Sequence, residues 1–187
     1  QGARSTPYAK TALVFAVPKN APYREITTSE AVDIYAGNQL RWPDGKPIRI
    51  VLRPAADGDY KILASSMDGM GDALAKAVKR KYLPVGTSDQ DNVAIIERLS
   101  AGFGFSSLSL ILAEKRSLRP LALDGVVASA ETIASGAYTI PKTFYLITGP
   151  KVSDLASDFI AFISSPEGVA ILRRTGHVEI NIQAAPM

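Results

Sequence analysis

Apolar positions in this chain follow two alternating periods. Thr11-Ala-Leu-Val-Phe-Ala-Val17 is an unbroken apolar run stopped by Pro18, the pattern of a strand covered on both faces. Ile48 to Leu52 is aliphatic apart from Arg49, and Tyr82 to Val85, Gly102 to Ser107, Leu118 to Leu123 and Tyr138 to Thr148 continue the series. Pro141 inside the last run argues for an edge or a crossover. Helical spacing fills the intervals. A helix capped by Thr28 or Ser29 runs through Tyr35 to Gly37, and Asp59 to Met67 forms another. Asp68 to Arg80 puts Met70, Leu74, Ala77 and Val78 on one face. Thr87 or Ser88 caps a helix with Val93, Ile96 and Leu99 inward and Asp89 and Asp91 in its first turn. Shorter helices cover Leu108 to Lys115 and Ser129 to Gly136, and two more, Ser153 to Ile163 and Ser165 to Arg174, follow the last strand. Strand–helix alternation predicts an α/β fold, a three-layer, mostly parallel sheet flanked by helices.

Composition changes this picture little. A hydrophobic fraction of 47% and a charged fraction of 21% over 187 residues suit one domain, or one domain and part of another. The net charge of +3, from 21 Lys and Arg against 18 Asp and Glu, is small and dispersed, so no nucleic-acid partner is expected. The densest basic patch, Lys76, Lys79, Arg80 and Lys81, reads as a solvated helix end. The absence of cysteine excludes disulfides, thiolate metal sites and cysteine nucleophiles. No apolar run approaches the roughly 20 residues of a membrane span. Residues 1–10 read as a flexible lead-in.

Candidate chemistry concentrates at one place. Arg53 leaves a buried strand and precedes Asp57-Gly58-Asp59, which opens a helix. An arginine fork beside helix N-terminal amides is how an α/β domain holds an oxyanion. The alternatives are an ion pair of Arg53 with Asp57 or Asp59, and simple helix capping by Asp57 or Gly58. A dianion beside these carboxylates meets repulsion of roughly 4 kcal/mol per contact at about 4 Å and an effective dielectric of 20. A cationic, zwitterionic or neutral polar ligand therefore stays open. Ser106, where a strand meets a helix, and Thr139, on the late strand, are further cleft-lining candidates; capping and packing are their other readings. Trp42 reads as a turn anchor. His177 is the only histidine, and no nucleophile elbow, P-loop or dinucleotide fingerprint occurs, so no catalytic residue, metal or cofactor is expected.

The run from Ser29 to Asp59, with its Trp42-Pro43-Asp44-Gly45 turn and the strand ending in Arg53, resembles the substrate-binding proteins of ABC transporters, in particular the phosphate-binding type. Asp57-Gly58-Asp59 stands where that type carries a Ser-Gly-Thr loop gripping phosphate. Gly102-Phe-Gly-Phe105, Gly136 to Ile147 and Phe159 to Leu172, with its Ser-Pro-Glu-Gly break, extend the likeness over about residues 10 to 178. The resemblance implies the type II periplasmic-binding-protein fold. Residues 11–148 would be a ligand-binding lobe bounded by two crossing strands, and 149–187 helices of the first lobe. Most of that lobe would precede Leu13. It also implies a non-enzymatic solute-binding component, or a fragment of one. The small oxyanion, such as phosphate, would bind in the interlobe cleft through Arg53, Asp57, Gly58, Asp59, Ser106 and Thr139. Its partner would be the membrane permease of an ABC importer, at a periplasmic or cell-surface location. A homodimer through the exposed lobe surface, and a ligand-free sensory or protein-interaction module on the same fold, are the competing expectations.

Overall fold

In the computed structural model, which describes residues 2–180, the first apolar run is part of a much longer strand, β1 (Arg4–Pro18). Ala12 to Val17 are each 1% exposed or less, as a strand covered on both faces requires. The chain continues through β2 (Glu25–Ile26), α1 (Thr28–Ala36), β3 (Arg49–Ile50), α2 (Gly58–Ser66), α3 (Met70–Val78), α4 (Asp89–Arg98) and β4 (Gly102–Ser107). Then come α5 (Leu108–Ala113), β5 (Leu118–Pro120), β6 (Ala122–Leu123), α6 (Ala130–Ala134), β7 (Pro141–Thr148), α7 (Asp154–Ile163), α8 (Pro166–Arg174) and β8 (Val178–Glu179).

Local chemistry accounts for the helix ends. Thr27 and Glu30 form a reciprocal capping box at α1, and Gly37 ends that helix in the left-handed region. Asp57, Ser88, Ser129, Ser153 and Ser165 accept backbone N–H groups at the starts of α2, α4, α6, α7 and α8. The Tyr82–Val85 run contributes one parallel bridge, Val85 with Leu52, rather than a strand.

The central sheet has the order β3-β4-β1-β5, with β7 and β8 pairing the first half of β1. The expected α/β architecture is present, but the sheet is mixed rather than mostly parallel. β1 runs antiparallel to β4, β5, β7 and β8, while β3 and β4 are parallel. Alternation fixes how consecutive strands connect through helices; it does not fix the direction of a strand that enters between them. A second correction concerns residues 1–10. From Arg4 onward they are not a flexible lead-in: they pair with β7 in a register from Arg4–Thr148 to Ala12–Pro141, with an irregularity between Pro7 and Ala9. Two long strands, distant in sequence, are therefore paired antiparallel. The second half of β1 joins the central sheet, and the first half, with β7 and β8, carries α7 and α8 at its end. Residues 181–187 of the expected 149–187 unit lie outside the described residues.

The core gathers around β1 and β4. Phe15 stacks on Phe103 at 5.6 Å between ring centres, and Tyr35 packs on both. Trp42, 5% exposed, stacks on Tyr23 at 4.0 Å and meets Phe103 edge-on, which fixes the Trp42–Gly45 turn to the core.

Candidate functional site

β3 and β4 run parallel, and their carboxyl ends lie at one edge of the sheet. The pairing runs to Ile50–Phe103, Val51 N–H donates to the Phe103 carbonyl at 2.8 Å, and Arg53 and Ser106 each lie three residues further on in their own segments. Beside them Val85 bridges Leu52 in parallel, and Gly86 N–H donates to the Leu52 carbonyl at 2.9 Å. Ligands of open α/β sheets sit outside the carboxyl ends of strands, where helix N-termini face outward. Here two such termini meet: α2, capped by Asp57, and α4, capped by Ser88.

Arg53 is 4% exposed and joins them. Its Nη2 donates to Asp57 Oδ2 at 2.5 Å and to Asp89 Oδ1 at 2.8 Å, and its Nη1 donates to the Gly86 carbonyl at 3.2 Å. Nε is buried without a partner among the described residues. Of five guanidinium N–H groups, one on Nη1 and the one on Nε remain uncommitted. Lys142, from the start of β7, places Nζ 2.7 Å from Asp59 Oδ1 and 3.7 Å from Asp89 Oδ2. Two cations and three carboxylates thus tie α2, α4, the segment after β3 and β7 into one network.

The carboxylates differ in environment. Burial pushes Asp57 up, but the Arg53 guanidinium and the Tyr60 and Asp59 amides outweigh it, so its carboxyl titrates below the ordinary value. Asp59 is 5% exposed; there burial wins over the attraction of Lys142, with Asp89 and Asp57 adding repulsion, and its carboxyl titrates above the ordinary value.

Two glycines shape the site for different reasons. A Cβ on Gly86 would stand 2.4 Å from Asn92 Cα, so only glycine lets that carbonyl reach Arg53 beside α4. Gly58 has no such constraint. It lies outside the left-handed region, and a Cβ there would meet nothing within 4 Å. Its bare backbone faces open space at the start of α2.

The structure brings Arg53, Asp57, Gly58 and Asp59 together and places Ser106 at the same sheet edge. Ser106 is 3% exposed and pairs with Val14 across to β1. Thr139 is exposed between buried Tyr138 and Ile140, and no hydrogen bond among the described residues ties it to the network. Asp89, Lys142 and Gly86 were not among the sequence candidates. Asp89 carries a signal, an acid in the first turn of a helix that opens at a strand end. His177 sits apart, edge-on to Phe144 at 5.4 Å and 3.0 Å from Thr175 Oγ1. A cavity of about 310 Å³ is lined by residues that include Pro18, Tyr23, Lys46 and Arg98, and none of the network's residues is among those lining it. Within the network Arg53 and Asp59 are buried, Lys142 and Asp57 keep 16% and 20% of their side-chain surface exposed, and Asp89 keeps 39%.

Residues 1–167 match the sequence model of the PBP superfamily domain, and the chain belongs to that superfamily. It is 25% identical over 194 aligned positions to the phosphate-binding protein PstS of Borreliella burgdorferi, covering 96% of this chain and 67% of that protein. It is 27% identical over 123 positions to PstS 2 of Streptococcus pneumoniae, covering 66% of this chain and 36% of that one. The chain therefore spans about two thirds and about one third of these relatives. Its fold is shared with a Clostridium perfringens substrate-binding protein assigned to phosphate ABC transport and solved with bound phosphate. That match has a TM-score of 0.81 at 19% identity, over 96% of this chain and 72% of that one. An ABC-type phosphate transport receptor from Vibrio cholerae matches with a TM-score of 0.65 at 19% identity, over 95% and 73%.

Proposed function

We propose that this chain is the cleft-facing lobe of an ABC-importer receptor for a small oxyanion, with phosphate as the first candidate. The observation that carries the reading is Arg53: a buried guanidinium at the carboxyl edge of the sheet, between two helix N-termini, with the open backbone of Gly58 beside it. That arrangement supplies forked donors and backbone N–H groups to an oxyanion. The named relatives and the bound phosphate of a structural neighbour support the same ligand class. The receptor would work with a membrane permease, outside the cytoplasmic membrane or in the periplasm. Binding by the chain alone is expected to be weak, because one lobe would supply part of the contacts and no closure. Calorimetry with inorganic phosphate tests this: saturable heats that vanish in Arg53→Gln are expected, and identical heats in the two proteins contradict it.

A second reading, a surface that seats another protein, is favoured by one observation. Leu155, Phe159 and Phe162 form a stripe on α7, 80%, 58% and 41% exposed, and Ile147 on β7 is 66% exposed. Light scattering across a concentration series measures whether the chain pairs through it.

A further inference from the structure

Asp57 performs two tasks with two oxygens. Oδ1 accepts the Asp59 and Tyr60 N–H groups at 2.9 and 3.3 Å and caps α2. Oδ2 lies on Arg53 at 2.5 Å. Capping needs one oxygen, which serine or asparagine supplies equally well. The second oxygen is surplus to the cap. Taken together, the carboxylate holds helix N-terminal amides and a guanidinium at once, the two kinds of donor that an arriving oxyanion would use.

We propose that Asp57 is a built-in competitor for the oxyanion site: a tethered carboxylate that occupies Arg53 and the α2 amides, and whose displacement sets which anions bind and how tightly. The proposal rests on the reading of this edge as an oxyanion site. Asp57 keeps a fifth of its side-chain surface exposed (20%), so rotation toward solvent would free the amides and the guanidinium together. Asp89, on Nη2 from the facing helix, would hold Arg53 in place meanwhile. A short tether gives the internal carboxylate an effective concentration of about millimolar or more. A free monocarboxylate exchanges like for like and gains nothing. A tetrahedral oxyanion with more oxygens and more charge is selected.

Asp57→Ser separates the tasks, since it keeps the cap and removes the competitor. Calorimetry with inorganic phosphate and with acetate, on wild type, Asp57→Ser and Asp57→Ser/Arg53→Gln, reads the effect, with thermal melts showing that each is folded. Phosphate should bind Asp57→Ser at least about tenfold tighter than wild type, roughly 1.4 kcal/mol. Acetate should bind the variant and not the wild type, and both gains should disappear in the double variant. The phosphate ratio should persist in about 0.5 M sodium chloride, where long-range repulsion is screened. Acetate binding without tighter phosphate binding would uphold the competitor and overturn phosphate as the ligand. Equal affinities in folded wild type and Asp57→Ser, or a ratio lost in high salt, would overturn the competitor while Arg53 keeps its role. An Asp57→Ser protein that binds neither anion overturns both.

Discussion

Asp57 and Asp59 stand two residues apart and titrate in opposite directions, and stability against pH should show it. Asp57 is held below the ordinary value of 3.8, so its contribution is present above that value and is lost as pH falls through its folded pKa. Asp59 is held above 3.8, so its contribution is full below that value and is lost as pH rises through its folded pKa. Relative to wild type, Asp57→Asn should therefore be least costly in acid, and Asp59→Asn should gain as pH rises above 3.8. Denaturant midpoints of the three proteins across acid to neutral pH check this; parallel curves contradict it. Gly58 offers a separate test. Its backbone is in an ordinary region with open space at Cβ, so Gly58→Ala should stabilise the chain by about 0.4–1 kcal/mol. The same methyl would stand where a ligand approaches, so phosphate affinity should fall while the melting temperature rises. A purely capping role for this loop predicts no loss of affinity. Arg53 was legible in the sequence because a charge follows an apolar strand and precedes Asp-Gly. Asp89 was not, because a first-turn acid already had a sufficient local explanation in the helix dipole.

At the scale of elements, β1 and β7 carry most of what the sequence left hidden. The alternating run from Arg4 to Lys10 is partly exposed, and its partner on β7 lies more than a hundred residues away, so no local pattern distinguishes it from a tail. The same pairing brings Lys142 to Asp59, which explains why a lysine in a late strand could not be placed at the site in advance. The helices were more legible, since caps such as Thr27, Ser88 and Ser165 act within a few residues. The end of α8 returns to β1 through one buried hydrogen bond, Thr11 Oγ1 to the Gly176 carbonyl at 2.8 Å, with Thr11 fully buried. Thr11→Val keeps the shape and strands that carbonyl. It should cost about 1–3 kcal/mol in chemical denaturation. A cost near zero would mean that the turn after α8 contributes little to holding this end of the chain on β1.

For the whole molecule, the sequence pattern predicts α/β layers, which are present; of the two long strands that the resemblance singles out, β7 pairs with Arg4 to Ala12 of β1, while Leu13 to Pro18 pair with β4 and β5. The direction of β1 was not readable, because it depends on where the strand inserts rather than on its composition. The fold places its charged network at the carboxyl edge of the sheet and its exposed apolar stripe on α7, with Ile147 on β7 also exposed. Phe159→Lys on that stripe should leave the melt unchanged and lower any concentration-dependent association; unchanged association would remove α7 from the contact. The claim on which the rest depends is that the Arg53 edge receives the ligand. Its most direct measurement is an NMR titration of the chain with inorganic phosphate, following backbone amides and the Arg53 Nε–H, repeated with Arg53→Gln. The account predicts saturable shifts concentrated at Gly58 to Tyr60, Gly86, Asp89 and Arg53 Nε, absent in the variant. Shifts centred elsewhere, or the same shifts in Arg53→Gln, would contradict it.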